Sequence, residues 1–475
     1  MDFYSFLEEI KEQRPDHVVF SVLEGEERRD ITVAEWIKEI YNYAAWLESE
    51  NISGKHIGLI CENCYEWYVY VFGIALSGNV AVPLNPDLAA DELLYQIRHA
   101  DVSEVYYDPC ADLDECLEEI QGEIPAVQIG LPRKWAQEAD LGEPVQNLGT
   151  DPDKTVLILF SSGTSGLPKG VMLSQKGLLN VKEVLNGRFD GARLILALPQ
   201  YHIGGLGSAL VFLRCPATIC LGEGKRYLVR DIKRFQPTVV FVVPSQLDFL
   251  MLKCRKSKEF EESIRNTVKY ILSAGAPLGH EHEEVLKKWG IETCNVYGLT
   301  ETSGTVMQWF PCKSGAAGRF SCENEMKIEG GELLIRGDNV MKGYYKNPEA
   351  DAEVFQDGWF HTGDLVRVDE EGFLYIVGRS KNIIILSNGE NVSPEILEQR
   401  IRNLKIAEEV IVTGRNNVLE ALLFCGEKAG EEEKKRAQDS IRKMNKELPR
   451  FQQIQRITFV DAPFEKNGTG KLIRP

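Results

Sequence analysis

The sequence predicts an α/β protein: a large N-terminal domain of helix-covered mixed sheets with a small antiparallel β region, then a small α+β C-terminal domain. Three observations carry this. Short β-rich apolar runs alternate with helical runs through most of the 475 residues. After about residue 330, β-runs crowd together around Gly- and Asp-rich turns. Beyond Arg379 a βαββαβ-like segment is long enough to form its own domain, so the expected boundaries are 1–379 and 380–475.

In chain order, "HIGLI" (56–60) reads as a strand, "YEWYVYVFGIAL" as a helix and "VAVPL" as the next strand. "SEVYYD" (103–108), "TVLILF" (155–160), "RLILAL" (193–198), "ATICL" (217–221) and "TVVFVV" (238–243) are further strands, with "KGLLNVKEVL" and "LVRDIKRF" as helices between them. Strands alternating with helices point to parallel sheets covered by helices. "GELLIRG" and "EVFQDGWFHTGDLVRVDEEGFLYIVGR" form the antiparallel region. The last segment reads "NIIILSNG", helix "SPEILEQRIRNL", strands "EEVIVTG" and "ALLFCG", helix "EEEKKRAQDSIRKMNKEL" and strand "QRITFV".

Composition narrows the function. A net charge of −18 argues against a nucleic-acid partner, whose phosphates most of the surface would repel, but one local cationic loop suffices for a small phosphorylated ligand. The apolar run "YVYVFGIALSGNVAVP" (68–83) is too short to span a bilayer and is broken by Gly73, Gly78 and Asn79, so no transmembrane segment is expected. No signal peptide is visible, and eleven cysteines without a scaffold rhythm suit reduced thiols, so the expected location is cytoplasmic. "CENC" (Cys61, Cys64) has no second pair at metal-ligand spacing, and His280 and His282 of "GHEHEE" would diverge on a helix; both read as structural.

One stretch asks for chemistry. "FSSGTSGLPKGVML" (160–173) sets Ser161, Ser162, Thr164 and Ser165 around Gly163, Gly166 and Gly170, with Lys169 after Pro168. Such a loop offers backbone N–H groups, hydroxyls and one cation to phosphate oxygens. It is not a Walker A motif, which needs Gly-Lys-Ser/Thr opening a helix. Its own residues fit either a mobile triphosphate clamp or a flexible surface hairpin.

The loop resembles the signature of the adenylate-forming superfamily, which comprises acyl-CoA synthetases, luciferases and peptide-synthetase adenylation domains. Further stretches resemble that family's motifs in order: "LPQYHIGG" (198–205), "SAGAPLG" (273–279), "NVYGLTE" (295–301), "GYYKNPEA" (343–350), "DGWFHTGDL" (357–365), "GRSKNIIILSNGENVSPEILE" (378–398) and "KNGTGKLIR" (466–474). The resemblance implies ATP and Mg²⁺ as ligands. It places Ser161 to Gly166 and Lys169 on the phosphates and lays Gly275, Ala276 and Pro277 along the adenine. Asn295, Tyr297, Gly298 and Leu299 also fall in the nucleotide site, Tyr297 stacking on the base. Thr300 contacts phosphate, Glu301 helps hold Mg²⁺, and Asp364 and Arg379 meet the ribose. By the same resemblance His202, beside the acyl pocket, and Lys471, the adenylation lysine, are expected to be catalytic with Thr300 and Glu301. The resemblance also makes Lys381 the expected hinge of a mobile C-terminal domain, whose rotation would bring Asn388, Gly389 and Glu390 to a thiol-arm tunnel shared with Gly205.

The resemblance implies an AMP-forming acid–thiol ligase acting on a small carboxylic acid. Amino-acid-activating members hold the substrate amine with an aspartate, and "QYHIGG" carries no carboxylate, so a fatty or aryl acid is expected. Coenzyme A is the expected acceptor. The phosphopantetheine arm of a carrier protein is the alternative, and "KRYLVRDIKRF" (225–235) reads as an amphipathic helix with solvated charges.

Overall fold

The computed structural model describes residues 1–25, 27–107, 119–122, 124–128, 151–161, 167–180, 187–222, 227–276, 278–321, 324–386, 391–415, 418–426, 429–466 and 472–474. The chain divides into two compact units, 1–325 with 336–360, and 326–335 with 361–475.

The first unit holds two large sheets. One is built from β1 (Val18–Glu24), β2 (Glu27–Thr32), β9 (Arg193–Leu196), β10 (Thr218–Leu221), β11 (Val239–Val242), β12 (Tyr270–Ala274) and β13 (Glu292–Val296), in the order β13-β12-β11-β9-β10-β1-β2. Its six neighbours from β13 to β1 run parallel, and β2 closes the edge antiparallel. The other contains β3 (His56–Ile60), β4 (Val80–Leu84), β5 (Val102–Tyr107), β6 (Ala126–Gln128), β7 (Thr155–Ser161) and β8 (Lys169–Ser174). Its order is β8-β7-β4-β3-β5-β6, with the short strand Gly343–Tyr344 added beside β8.

Two helices explain how the sheets share a core. Tyr65–Leu76 and Ile203–Leu213 are apolar on nearly all sides, and almost every residue in each is buried, the signature of a helix enclosed by protein. One continuous apolar cluster runs through both helices and the inner faces of both sheets, joining Trp36, Trp67 and Phe72 to Leu157, Leu194 and Phe241. Each such side chain contributes roughly 1.5–3 kcal/mol of burial. The helix Val33–Ser49 is fastened at its start by a reciprocal cap between Thr32 and Glu35.

The expected strands at 56–60, 80–84, 103–108, 155–160, 193–198, 217–221 and 238–243 all form, with ends moved by up to two residues. The helix expected over "KGLLNVKEVL" is seen as Gln175–Leu178, and residues 181–186 lie outside the described part. Glu332–Arg336, Trp359–Val368 and Phe373–Arg379, whose residues fall mostly in the second unit, belong to one sheet. They are followed by helix Pro394–Asn403, strands Glu409–Arg415 and Val418–Phe424, helix Glu431–Asn445 and strand Arg456–Phe459, the expected α+β order. These last elements enclose their own apolar core around Ile401, Leu419, Ala421 and Ile441. Packing thus groups the antiparallel strands at 361–379 with the C-terminal elements.

Candidate active site

The Ser- and Gly-rich loop joins β7 to β8, which pair antiparallel with Ser161 opposite Lys169 and Phe160 opposite Gly170. It is therefore a hairpin connection, not the strand-to-helix turn of a Walker A motif. Ser162, Gly163, Thr164, Ser165 and Gly166 lie outside the described residues. The ladder brings their flanking residues, Ser161 and Lys169, together.

Lys169 Nζ stands 4.9 Å above the ring centroid of Tyr344. The Tyr344 hydroxyl donates to Glu301 Oε1 at 3.0 Å. Burial and the Glu301 carboxylate push that hydroxyl well above its ordinary range, so it stays a donor. Glu301 sits in a single 3₁₀ turn, Thr300–Thr302, between the paired strands Gly298–Leu299 and Gly304–Thr305. Buried Thr302 locks the turn, taking the Leu299 N–H at 3.0 Å and donating to Gly304 O at 3.0 Å. Asn339 Nδ2 donates to Thr302 O at 3.2 Å, and Ser303 Oγ donates to Asn339 O at 2.8 Å. A Cβ on Gly298 would lie 2.0 Å from Gly304 O, so only glycine fits there. Thr300 and Glu301 therefore project from a rigid support.

Around this turn lie the carboxyl ends of the parallel strands, where open α/β sheets bind ligands. The Gly275–Ala276 turn follows β12, with Gly275 at φ +87°. Pro277 lies outside the described residues. Asn295, nearly buried at the end of β13, accepts the Leu278 N–H at 2.9 Å. Its side chain thus shapes the turn assigned to the adenine. Tyr297 follows, half-buried. After β9, Asn63 and Gln200 exchange bonds across the chain. Asn63 Nδ2 donates to Leu198 O at 2.8 Å, and Gln200 Oε1 accepts from Cys64 N at 2.8 Å. "CENC" thereby has a structural use, holding the segment that leads to Tyr201 and His202. His202 precedes helix Ile203–Leu213, and Gly205 packs so tightly that a Cβ would sit 2.1 Å from Pro199 O. His280 and His282 diverge, as expected: His282 Nε2 faces Asp248 Oδ1 at 3.3 Å, and His280 is exposed toward Glu283 and Glu284.

The second unit carries another pair. Asp364, 2% exposed, meets Arg379 Nε at 2.6 Å across the ladder in which they are direct neighbours. Thr362 Oγ1 takes the Asp364 N–H at 3.1 Å, and Glu332 takes the Gly363 N–H at 2.7 Å. Lys381 is exposed in the turn Ser380–Asn382. Asn388, Gly389, Glu390 and Lys471 lie outside the described residues.

Residues 7–345 match the family model for AMP-binding enzymes, and residues 381–475 match that for the AMP-binding enzyme C-terminal domain. The chain belongs to the AMP-binding enzyme family. Among its relatives, the long-chain-fatty-acid–CoA ligase FadD15 of Mycobacterium bovis is 27% identical over 84% of this chain and 78% of that protein. The 2-succinylbenzoate–CoA ligase of Bacillus licheniformis is 29% identical, covering 84% of each chain. In fold the chain resembles the O-succinylbenzoate coenzyme A synthetase of Bacillus subtilis in complex with AMP, at TM-score 0.80 and 24% identity over 99% of this chain and 97% of that one.

In this AMP-binding enzyme, residues that sequence reasoning assigned to the nucleotide are supported by others it passed over. Tyr344 lies within "GYYKNPEA" and Gln200 within "LPQYHIGG", and neither motif by itself assigns them a role. Thr302 and Asn339 carry no motif signal. Each acts through hydrogen bonds to distant or backbone groups, which a one-dimensional pattern does not display.

Proposed function

We propose that the chain is an AMP-forming acid–CoA ligase. It adenylates a non-amino carboxylic acid with MgATP, then passes the acyl group to the thiol of coenzyme A. The observation that carries this reading is the row Lys169–Tyr344–Glu301 at the mouth of the Ser/Gly hairpin in a member of the AMP-binding family. A cation and a carboxylate, each held in place, suit a triphosphate with its metal. Glu301, oriented by the Tyr344 hydroxyl, would be the residue to hold a divalent ion beside the phosphates. That ion supplies charge neutralisation at the phosphates. The relatives' names, fatty-acid, coumarate and succinylbenzoate CoA ligases, support the acid and the acceptor.

In the first half-reaction a substrate carboxylate oxygen attacks the α-phosphorus, and pyrophosphate leaves. The approach of anion to anion needs positioned donors, for which we assign Lys169 and Thr300, with the Ser and Thr hydroxyls of the loop as further donors. In the second, the thiol attacks the acyl-adenylate carbonyl, AMP leaves and a proton is lost from sulfur. Asp364, acceptor-only and rigidly seated, suits the ribose hydroxyls beside Arg379. We assign adenylation to Lys471 and the hinge to Lys381. Gly205 with Asn388, Gly389 and Glu390 takes the thiol arm.

The test is ATP–pyrophosphate exchange across fatty and aryl acids, followed by thioester formation with coenzyme A or a holo-carrier protein. Exchange with at least one acid and transfer to coenzyme A is expected. ATP binding without exchange on any acid overturns the reading, and transfer to a carrier alone replaces the acceptor. Lys471→Ala is expected to slow acyl-adenylate formation by about a hundredfold or more, the usual loss of a transition-state charge partner. Thioester formation from supplied acyl-adenylate should stay near wild type, and equal loss of both half-reactions contradicts the assignment.

A further inference from the structure

Lys169 and Glu301 carry opposite charges, and both touch one side chain, Tyr344. Direct pairing would neutralise the cation meant for phosphate and the carboxylate meant for a metal ion. Tyr344 contacts each of them through a different part of its side chain. Its ring lies under Lys169 Nζ at 4.9 Å, and its hydroxyl donates to Glu301 Oε1 at 3.0 Å. An aromatic face attracts an ammonium without cancelling its charge. A phenol orients a carboxylate while leaving it anionic.

Backbone contacts fix the segment that bears Tyr344. Its strand pairs with β8, Tyr344 opposite Val171 and Gly343 opposite Met172. Asp351 Oδ1 accepts the Tyr344 N–H at 2.7 Å, and a Cβ on Gly343, at φ +127°, would lie 2.7 Å from Asp351 Oδ2. The next residue, Tyr345, sends its hydroxyl elsewhere, to Asp101 Oδ2 at 2.7 Å. Tyr345 N–H also donates to Gly170 O at 2.7 Å, next to Lys169 itself. The strand that bears Tyr344 is thus tied to the strand that bears Lys169.

We propose that Tyr344 is a positioning residue of the adenylation site, an aromatic spacer that keeps Lys169 and Glu301 apart and separately available to the phosphates and the divalent ion. This rests on the ligase reading above.

Two variants separate its two contacts. Tyr344→Phe keeps the ring and loses the hydroxyl. It should raise the Mg²⁺ concentration for half-maximal ATP binding by about tenfold, the scale of a lost hydrogen bond to a charged group, with Mg²⁺-free ATP binding unchanged. Tyr344→Leu loses the spacer as well and should weaken ATP binding both with and without Mg²⁺. Binding is read by titration calorimetry, and folding by the melting temperature of each variant. Wild-type Mg²⁺ dependence in Tyr344→Phe overturns the proposal. So does a loss that is equal with and without Mg²⁺ in both variants, since that marks a merely structural role. Absence of pyrophosphate exchange in the wild type would instead overturn the ligase reading.

Discussion

Glu104 shows how single side chains set the pH response of the fold. It lies on β5 in the company of Tyr106 and Lys55, and burial pushes its carboxyl above the usual range. The folded chain therefore holds this proton more tightly than the unfolded chain does. The linked stability is full below the ordinary carboxylate range and is lost as pH rises through the raised folded value. Glu104→Gln should raise the melting temperature by about 2 °C at pH 7, with the gain fading toward pH 4; thermal melts across that range check it. Other single residues differ in how plainly the sequence announced them. Glu301 and Asp364 stand in contiguous motifs, so sequence alone can propose them. It cannot propose Tyr344 and Gln200 in the same way, because their partners lie 43 and 136 positions away. Distance along the chain hides a hydrogen bond that folding makes short.

Among elements, the glycine-bearing turns are where backbone, rather than side chain, sets the limits. In the helix Ile203–Leu213, alanine at 205 would improve helix propensity by about 1 kcal/mol. Its Cβ would meet Pro199 O at 2.1 Å, and overpacking of that kind costs about 1–3 kcal/mol. Gly205→Ala should therefore destabilise on balance, as chemical denaturation can measure; a stabilised variant would show that the Pro199 segment yields freely. Strands and long apolar helices were legible because their residues alone dictate burial. The hairpin of β7 and β8 was left open because "KGVMLS" is short and becomes a strand through pairing with β7. The rigid turn at Thr300 depends on Asn339 and Met341, which reach it from another part of the chain.

For the whole molecule, separate apolar cores imply separable unfolding. Arg474 makes two 2.8 Å contacts with Glu398, whose side chain is 5% exposed, on the helix Pro394–Asn403. Removing the arginine takes two charge-assisted contacts from a nearly buried carboxylate, which keeps the Val412 N–H and the more distant charge of Arg402. Arg474→Ala should lower the transition of the C-terminal unit by about 2 kcal/mol while the transition of the first unit holds its place. Calorimetry resolves the two, and a uniform shift of one cooperative transition would contradict it. The α+β order of that unit was legible from alternating runs. Residues 361–379 pack with it through contacts between strands distant in sequence. The pairing of Ser161 with Lys169 also bears on heredity. Side chains alternate faces along a strand, so one extra codon between Lys169 and Ser174 would turn the rest of β8 over and carry its pairing with Gly343–Tyr344 out of step. Descendants of this hairpin can change letters in β8 far more freely than they can change its length.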